Sequence, residues 1–151
     1  MAAAVEPSHD NETEPQPYRL DEQIGFILRQ VVQRHAAIFA SGMDQALTAP
    51  QWAALAKLAE CGPLSQNQLG RLIVTDAATI KGVVDRLSAR VLTRTSPDPD
   101  DRRRYVVELT PIGLETVARL SPHASAITAE TLAPLDAAER TRLLALLRKL
   151  C

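Results

Sequence analysis

Apolar residues recur at helical spacing near the start of the chain, at Ile24, Ile27, Leu28, Val31, Val32, Ile38 and Phe39, with His35 in the same stripe. This predicts one long amphipathic helix across residues 21–47. A second run sets Trp52, Leu55 and Leu58 on one face behind Pro50. Proline suits a first helical turn, and Thr48 stands where a cap belongs. Cys61-Gly62-Pro63 ends that helix. Ser65, followed three residues later by Gln68, is a capping-box pattern opening a short helix with Leu69, Leu72 and Ile73. Thr75-Asp76 caps the next helix, across residues 76–90, in which Ala77, Ile80, Val84 and Leu87 share the inner face. The outer face carries Thr75, Ala78, Thr79, Lys81, Gly82 and Arg86, all small, polar or basic.

The period then changes from helix to strand. Pro97-Asp98-Pro99 and two further acids lead into Arg102-Arg103-Arg104, which run straight into Tyr105-Val106-Val107-Glu108-Leu109. This predicts a β-hairpin with a cationic tip, and a two-stranded hairpin is stable only when packed on a larger body. Thr110-Pro111 starts a long helix through Gly113, Leu114, Val117 and Leu120, with Pro122 expected to kink or interrupt it near Ser121. Asp136 opens a last helix with Leu143, Leu144, Leu146, Leu147 and Leu150, apolar on more than one side. That helix and the first one both need cover, and a second copy of the chain is the simplest source. The fold class is mainly α with a small β-hairpin wing, a winged helix-turn-helix held in a helical homodimer.

Helix, tight turn, helix and basic hairpin in that order suit double-stranded DNA. Small residues let the backbone of residues 76–90 approach a major groove, where Thr75, Ala78, Thr79, Lys81 and Arg86 meet phosphates and base edges. Arg102 or Arg103 reaches the neighbouring minor groove, Arg104 stays at the strand base, and Asp101 shapes the wing through ion pairing. Net charge is only −1, but its distribution is uneven. Residues 71–104 hold eight basic side chains against five acidic ones, whereas residues 1–70 hold four against eight. A positive lobe on an acidic body orients a molecule on a polyanion.

Other chemistries find little footing. His9, His35 and His123 are far apart and have no metal-ligand spacing with cysteine. No glycine-rich phosphate loop is present. No catalytic residue, cofactor or metal is expected, and the chain does not read as an enzyme. No apolar run approaches a membrane span, and the first residues lack the basic-then-apolar order of a secretory signal. Residues 1–17 are acidic and proline-bearing and are expected to be a disordered tail. Two unpaired cysteines, Cys61 and Cys151, fit a reducing compartment, and a cytoplasmic location is expected. Cys61 reads as a small buried hydrophobe ahead of a thiol sensor.

Taken together, Leu47-Thr48 with Gln51-Trp52, Gly62-Pro63-Leu64-Ser65, Leu69, Val84-Asp85-Arg86-Leu87, Asp98-Pro99-Asp100-Asp101-Arg102-Arg103 and Leu109-Thr110-Pro111-Ile112-Gly113 resemble the MarR family of bacterial winged-helix regulators. The resemblance runs over residues 46–117. It implies an intertwined homodimer whose two lobes read a pseudo-palindromic operator, and favours Arg103, the arginine of the Asp-x-Arg wing pattern, as the groove residue. It divides the chain into a tail (1–17), a dimerisation helix (18–47), a DNA-binding lobe (48–109) and a linker with a C-terminal dimerisation helix (110–151). Many members are repressors released by a small aromatic anion. The implied pocket lies where the first, second and fifth helices meet the lobe, with Tyr18, Arg19, Arg34, His35, Phe39 and Trp52 as candidates for an aromatic carboxylate or related thioester. Two alternatives are a redox-responsive regulator of the same fold sensing through Cys61, and a winged helix serving as a protein-interaction module. Two positions depart from the family pattern. Val91 stands where glycine usually closes the recognition helix, so that either the helix ends differently or Val91 packs under the wing. Thr93 replaces an apolar strand residue.

Overall fold

The computed structural model describes residues 17–44 and 47–151. After a 3-10 turn at Leu20–Glu22, the order is α1 (Ile24–Gly42), α2 (Ala49–Cys61), α3 (Gln66–Leu72), α4 (Ala77–Ala89), β1 (Thr93–Pro97), β2 (Tyr105–Leu109), α5 (Pro111–Thr131) and α6 (Ala137–Leu147). The first helix is shorter at both ends than its hydrophobic stripe predicts. The expectation of a disordered tail falls, Pro17 apart, outside the described residues.

Short polar side chains set the helix starts. Thr48 and Gln51, Ser65 and Gln68, and Asp136 and Glu139 form reciprocal capping boxes, while Asp76 and Thr110 cap α4 and α5 through the N–H groups of Thr79 and Gly113. Each such cap is worth about 1 kcal/mol because it satisfies a backbone donor that the helix leaves unpaired. One apolar cluster then joins the lobe to α5. Leu55, Leu69, Ile80, Leu87 and Leu120 are its fully buried large side chains, with Val83, Val84, Leu92 and Val107 around them. On α4 the inner face differs from the expected one by two residues, since Ala77 is exposed and Val83 is buried. The N-terminal turn of α4 projects beyond the core.

The hairpin is antiparallel, in register from Thr93 opposite Leu109 to Pro97 opposite Tyr105. Leu64 bridges the other edge of β2, donating to and accepting from Val107 at 3.1 and 2.8 Å. The wing root is thereby fastened to the residue just before the α3 cap. α5 is not interrupted at Ser121; it runs through Pro122 to Thr131. Pro122 removes only the donor to the Ala118 carbonyl, and both residues are exposed, so water can take that acceptor.

Candidate nucleic-acid interface

α3 and α4 are joined by residues 73–76, and the same device closes both helices. After α3, Val74 has φ 55°, with its N–H on the Arg71 carbonyl (3.3 Å) and the Thr75 N–H on the Gly70 carbonyl (2.9 Å). After α4, Val91 has φ 59°, with its N–H on Ser88 (2.9 Å) and the Leu92 N–H on Leu87 (3.0 Å). These are paired Schellman closures. Val91 therefore does neither of the things its identity suggested. The helix closes in the left-handed form that glycine would adopt, and the side chain is 57% exposed rather than packed under the wing. Val74 is 92% exposed.

The outward side of α4 carries the residues singled out from the sequence. Ala78, Thr79, Lys81 and Arg86 are exposed and Thr75 is half-buried. Lys81 is joined to Asp85 one turn on at 2.7 Å. Thr79 is held twice by the cap, its N–H on Asp76 Oδ1 (2.8 Å) and its hydroxyl donating to Asp76 Oδ2 (2.7 Å). The Thr79 backbone N–H, and after it the Thr79 hydroxyl, hold the Asp76 carboxyl below its ordinary pKa.

In the wing, Asp101 organises the turn. Its carbonyl accepts the Arg104 N–H (2.8 Å), its Oδ1 the Arg103 N–H (3.1 Å), and its Oδ2 lies 3.4 Å from Arg104 Nε. Asp98 closes the same loop, donating its N–H to the Arg104 carbonyl and accepting from Asp100. Arg104 is thus tied into the turn. Arg102 and Arg103 extend exposed guanidinium groups. At the root, Arg94 and Glu108 face each other across the strands, 2.8 Å apart, with Ser96 donating to the same carboxylate. The Thr110 hydroxyl donates to the Val91 carbonyl (2.6 Å) and accepts the Gly113 N–H (3.0 Å). A side chain at Gly113 would collide with the Leu92 backbone carbonyl. That contact is why glycine follows threonine by three residues here.

The proposed ligand residues do not gather around one cavity. Phe39 lines a groove of about 450 Å³ with Met43, Leu47 and Thr48. Trp52 lines another of about 450 Å³ between α2 and α5. Arg34 donates to the Thr131 and Glu130 carbonyls at 2.6 and 3.1 Å, and His35 Nδ1 lies 2.9 Å from the Thr131 hydroxyl. Both meet the C-terminal end of α5, where the Arg34 guanidinium suits the exposed carbonyls. Tyr18 is exposed, and Arg19 pairs loosely with Glu22. Cys61 is exposed at the end of α2, not buried as expected, and Lys57 one turn before it is engaged by Glu60 at 2.6 Å. The Glu60 hydrogen bond, with the Glu60 charge after it, raises the Lys57 pKa. Among the described residues there is no metal-binding cluster, and no helix is long and apolar enough to cross a membrane.

Sequence reasoning passed over three features: the Leu64–Val107 bridge, the Arg94–Glu108 pair and the hold of Asp76 on the Thr79 hydroxyl. Only the second had a signal, since opposite charges fall opposite once the hairpin register is set.

The MarR family model matches residues 47–105. The transcriptional repressor NicR of Pseudomonas putida is 44% identical over 135 residues, covering 89% of this chain and 85% of its own. The chain belongs to the MarR family. Among solved structures, this MarR protein resembles a "probable transcriptional regulator" from Pseudomonas aeruginosa at TM-score 0.85 and 53% identity, over 88% of this chain and all of the other. It also resembles Bordetella bronchiseptica BpsR, whose DNA binding is regulated by 6-hydroxynicotinic acid, at TM-score 0.86 and 41% identity, over 89% and 97% of the two chains. This MarR protein is accordingly a winged-helix transcriptional regulator.

Proposed function

We propose that this MarR protein is a cytoplasmic, homodimeric repressor that a small hydroxylated aromatic acid releases from its operator. The likeness to BpsR, over nearly the whole length of both chains, carries the proposal, because that protein's DNA binding answers to a hydroxylated pyridine carboxylate. The 44% identity to the repressor NicR supports the sign of regulation. The lobe contributes α4 to a major groove through Ala78, Thr79, Lys81 and Arg86, with Thr75 at its mouth, and the wing contributes Arg102 and Arg103 to the flanking minor groove, with Asp101 shaping the turn. Two lobes then sit roughly 34–36 Å apart, one helical turn of DNA. The dimer is built from α1 and α6. On α1 the apolar residues Ile24, Ile27, Leu28, Val31 and Val32 are all exposed, and on the C-terminal segment so are Leu144, Leu146 and Leu150. An apolar face of this extent on a helix marks a contact surface.

The effector acts at the α1–α2–α5 junction. Phe39 and Trp52 each line one of two separate grooves there. Arg34 and His35, held at the Thr131 end of α5, with Tyr18 and Arg19, are the candidate polar groups. A ligand that binds better to one lobe spacing than to the other shifts the population away from the DNA-bound form. Electrophoretic mobility shift on the protein's own promoter DNA, with and without 6-hydroxynicotinic acid and related acids, tests both halves of the reading. Specific retardation that the acid reverses is expected. Retardation insensitive to every such acid sinks the effector, and the absence of specific retardation sinks the regulator. Arg103→Ala is expected to weaken binding by about 1–3 kcal/mol and to lower its salt dependence; a variant that binds as wild type does at both low and high salt would remove the wing from the interface.

A further inference from the structure

Thr79 stands on the exposed side of α4 with the hydrogen of its hydroxyl already committed. A threonine hydroxyl has one proton to donate and two lone pairs to accept with. In this chain the proton points at Asp76 Oδ2 (2.7 Å), while Asp76 Oδ1 takes the Thr79 N–H (2.8 Å). An ionised carboxylate only accepts, so the direction of this bond is fixed. The carboxylate also sits at the α4 N-terminus, where the helix favours negative charge. What Thr79 can still present to a neighbour is lone pairs and a methyl group.

In the major groove, cytosine and adenine present amino donors, whereas guanine and thymine present keto acceptors. A threonine free to rotate serves either kind of base. One whose proton is taken can hydrogen-bond only to the amino kind, and its oxygen is repelled by a keto oxygen. We infer that Asp76 is a specificity-positioning residue. By holding the Thr79 hydroxyl as a pure acceptor, it makes this MarR protein select an amino-bearing base, cytosine or adenine, at one position in each operator half-site. The inference rests on the proposed entry of α4 into the major groove.

Asp76→Asn tests it while leaving the helix capped, since asparagine caps as well as aspartate. Its side-chain carbonyl can still accept the Thr79 N–H, while its amide donates to the Thr79 oxygen and frees the hydroxyl proton to turn toward the groove. The operator is first selected from random duplexes with the full-length wild-type chain. Fluorescence anisotropy then compares wild type, Asp76→Asn and Thr79→Val on operators carrying all four base pairs at each half-site position. Wild type is expected to favour an amino-bearing base at one position by about five- to tenfold, as befits one hydrogen bond read against its loss. Asp76→Asn, having lost a negative charge, should bind every duplex more tightly and also lose or reverse the preference at that position alone. Thr79→Val should flatten the same position in either background. A purely structural cap would change all affinities together and leave the ranking of bases untouched. That result, with wild type still sequence-selective, overturns the role of Asp76 and spares the regulator. A wild type that selects no sequence overturns both.

Discussion

Val91 holds a backbone conformation that a β-branched residue seldom adopts, because the left-handed region presses its Cβ against the following carbonyl at a cost of roughly 1–2 kcal/mol. Leu87 and Leu92, both buried, enforce it, since the Leu92 N–H on the Leu87 carbonyl is what closes α4. Val91→Gly removes the strain without touching a packed side chain. It is expected to raise the unfolding free energy by about 1 kcal/mol, read from urea denaturation, and a loss of stability would contradict the left-handed closure. Asp76 gives a second residue-level expectation. Its pKa is depressed in the folded chain, so its cap contributes stability above the unfolded-state value and loses it as pH falls through the folded one. The stability difference between wild type and Asp76→Ala should therefore shrink as pH drops below about 4. A difference that stays constant from neutral pH to pH 3 would show the carboxylate to be unimportant as a charge.

At the scale of elements, the joint between wing and α5 depends on Gly113. Alanine in an ordinary helix is favoured over glycine by about 1 kcal/mol, yet here its methyl group would meet the Leu92 backbone carbonyl, which has no rotamer to escape into. Gly113→Ala is expected to destabilise by about 2 kcal/mol or more, seen as a lower thermal midpoint, and a stabilised variant would mean that the helix and the carbonyl are not in contact. This joint also shows which parts of the fold were legible in the sequence. Thr48, Ser65, Asp76, Thr110 and Asp136 act on donors two or three residues away, so their helices could be placed from local pattern alone. The Thr110–Gly113 spacing was recognisable as a motif, but its reason, the approach to Leu92, was not. Arg34 was still less accessible. It reaches a carbonyl 97 residues away, and nothing near it in sequence distinguishes a helix-capping arginine from a ligand-binding one. The error at Cys61 is of the same kind, since burial depends on what a helix end meets.

For the molecule as a whole, the lobe and the helical base differ in self-sufficiency. The lobe closes its own core around Leu55, Leu69, Ile80 and Leu87. α1 packs against α5 and leaves a row of aliphatic side chains in water. Val31→Glu sets a charge in that row without disturbing the lobe, and sedimentation should then report a monomer that keeps its helical content. An unchanged dimer would place the interface elsewhere. The exposed outer face of α4 and the arginine tip of the wing were legible because turn, helix and hairpin are contiguous in sequence. The dispersal of the ligand candidates over two grooves was not, because it depends on how α1, α2 and α5 cross.

The double fastening of the wing root has a mechanical meaning. Leu64 ties β2 to the entrance of α3, and Thr110 ties the end of α4 to the first turn of α5, so recognition helix and wing form one stiff head on a single shaft. α5 has 21 residues and is roughly 30 Å long, so that a tilt of about 5° at its Thr131 end carries the head ~3 Å sideways. That is the length of one hydrogen bond to a base. Arg34 and His35 grip the far end of that shaft, so a very small distortion at the base is enough to move the head off a base contact.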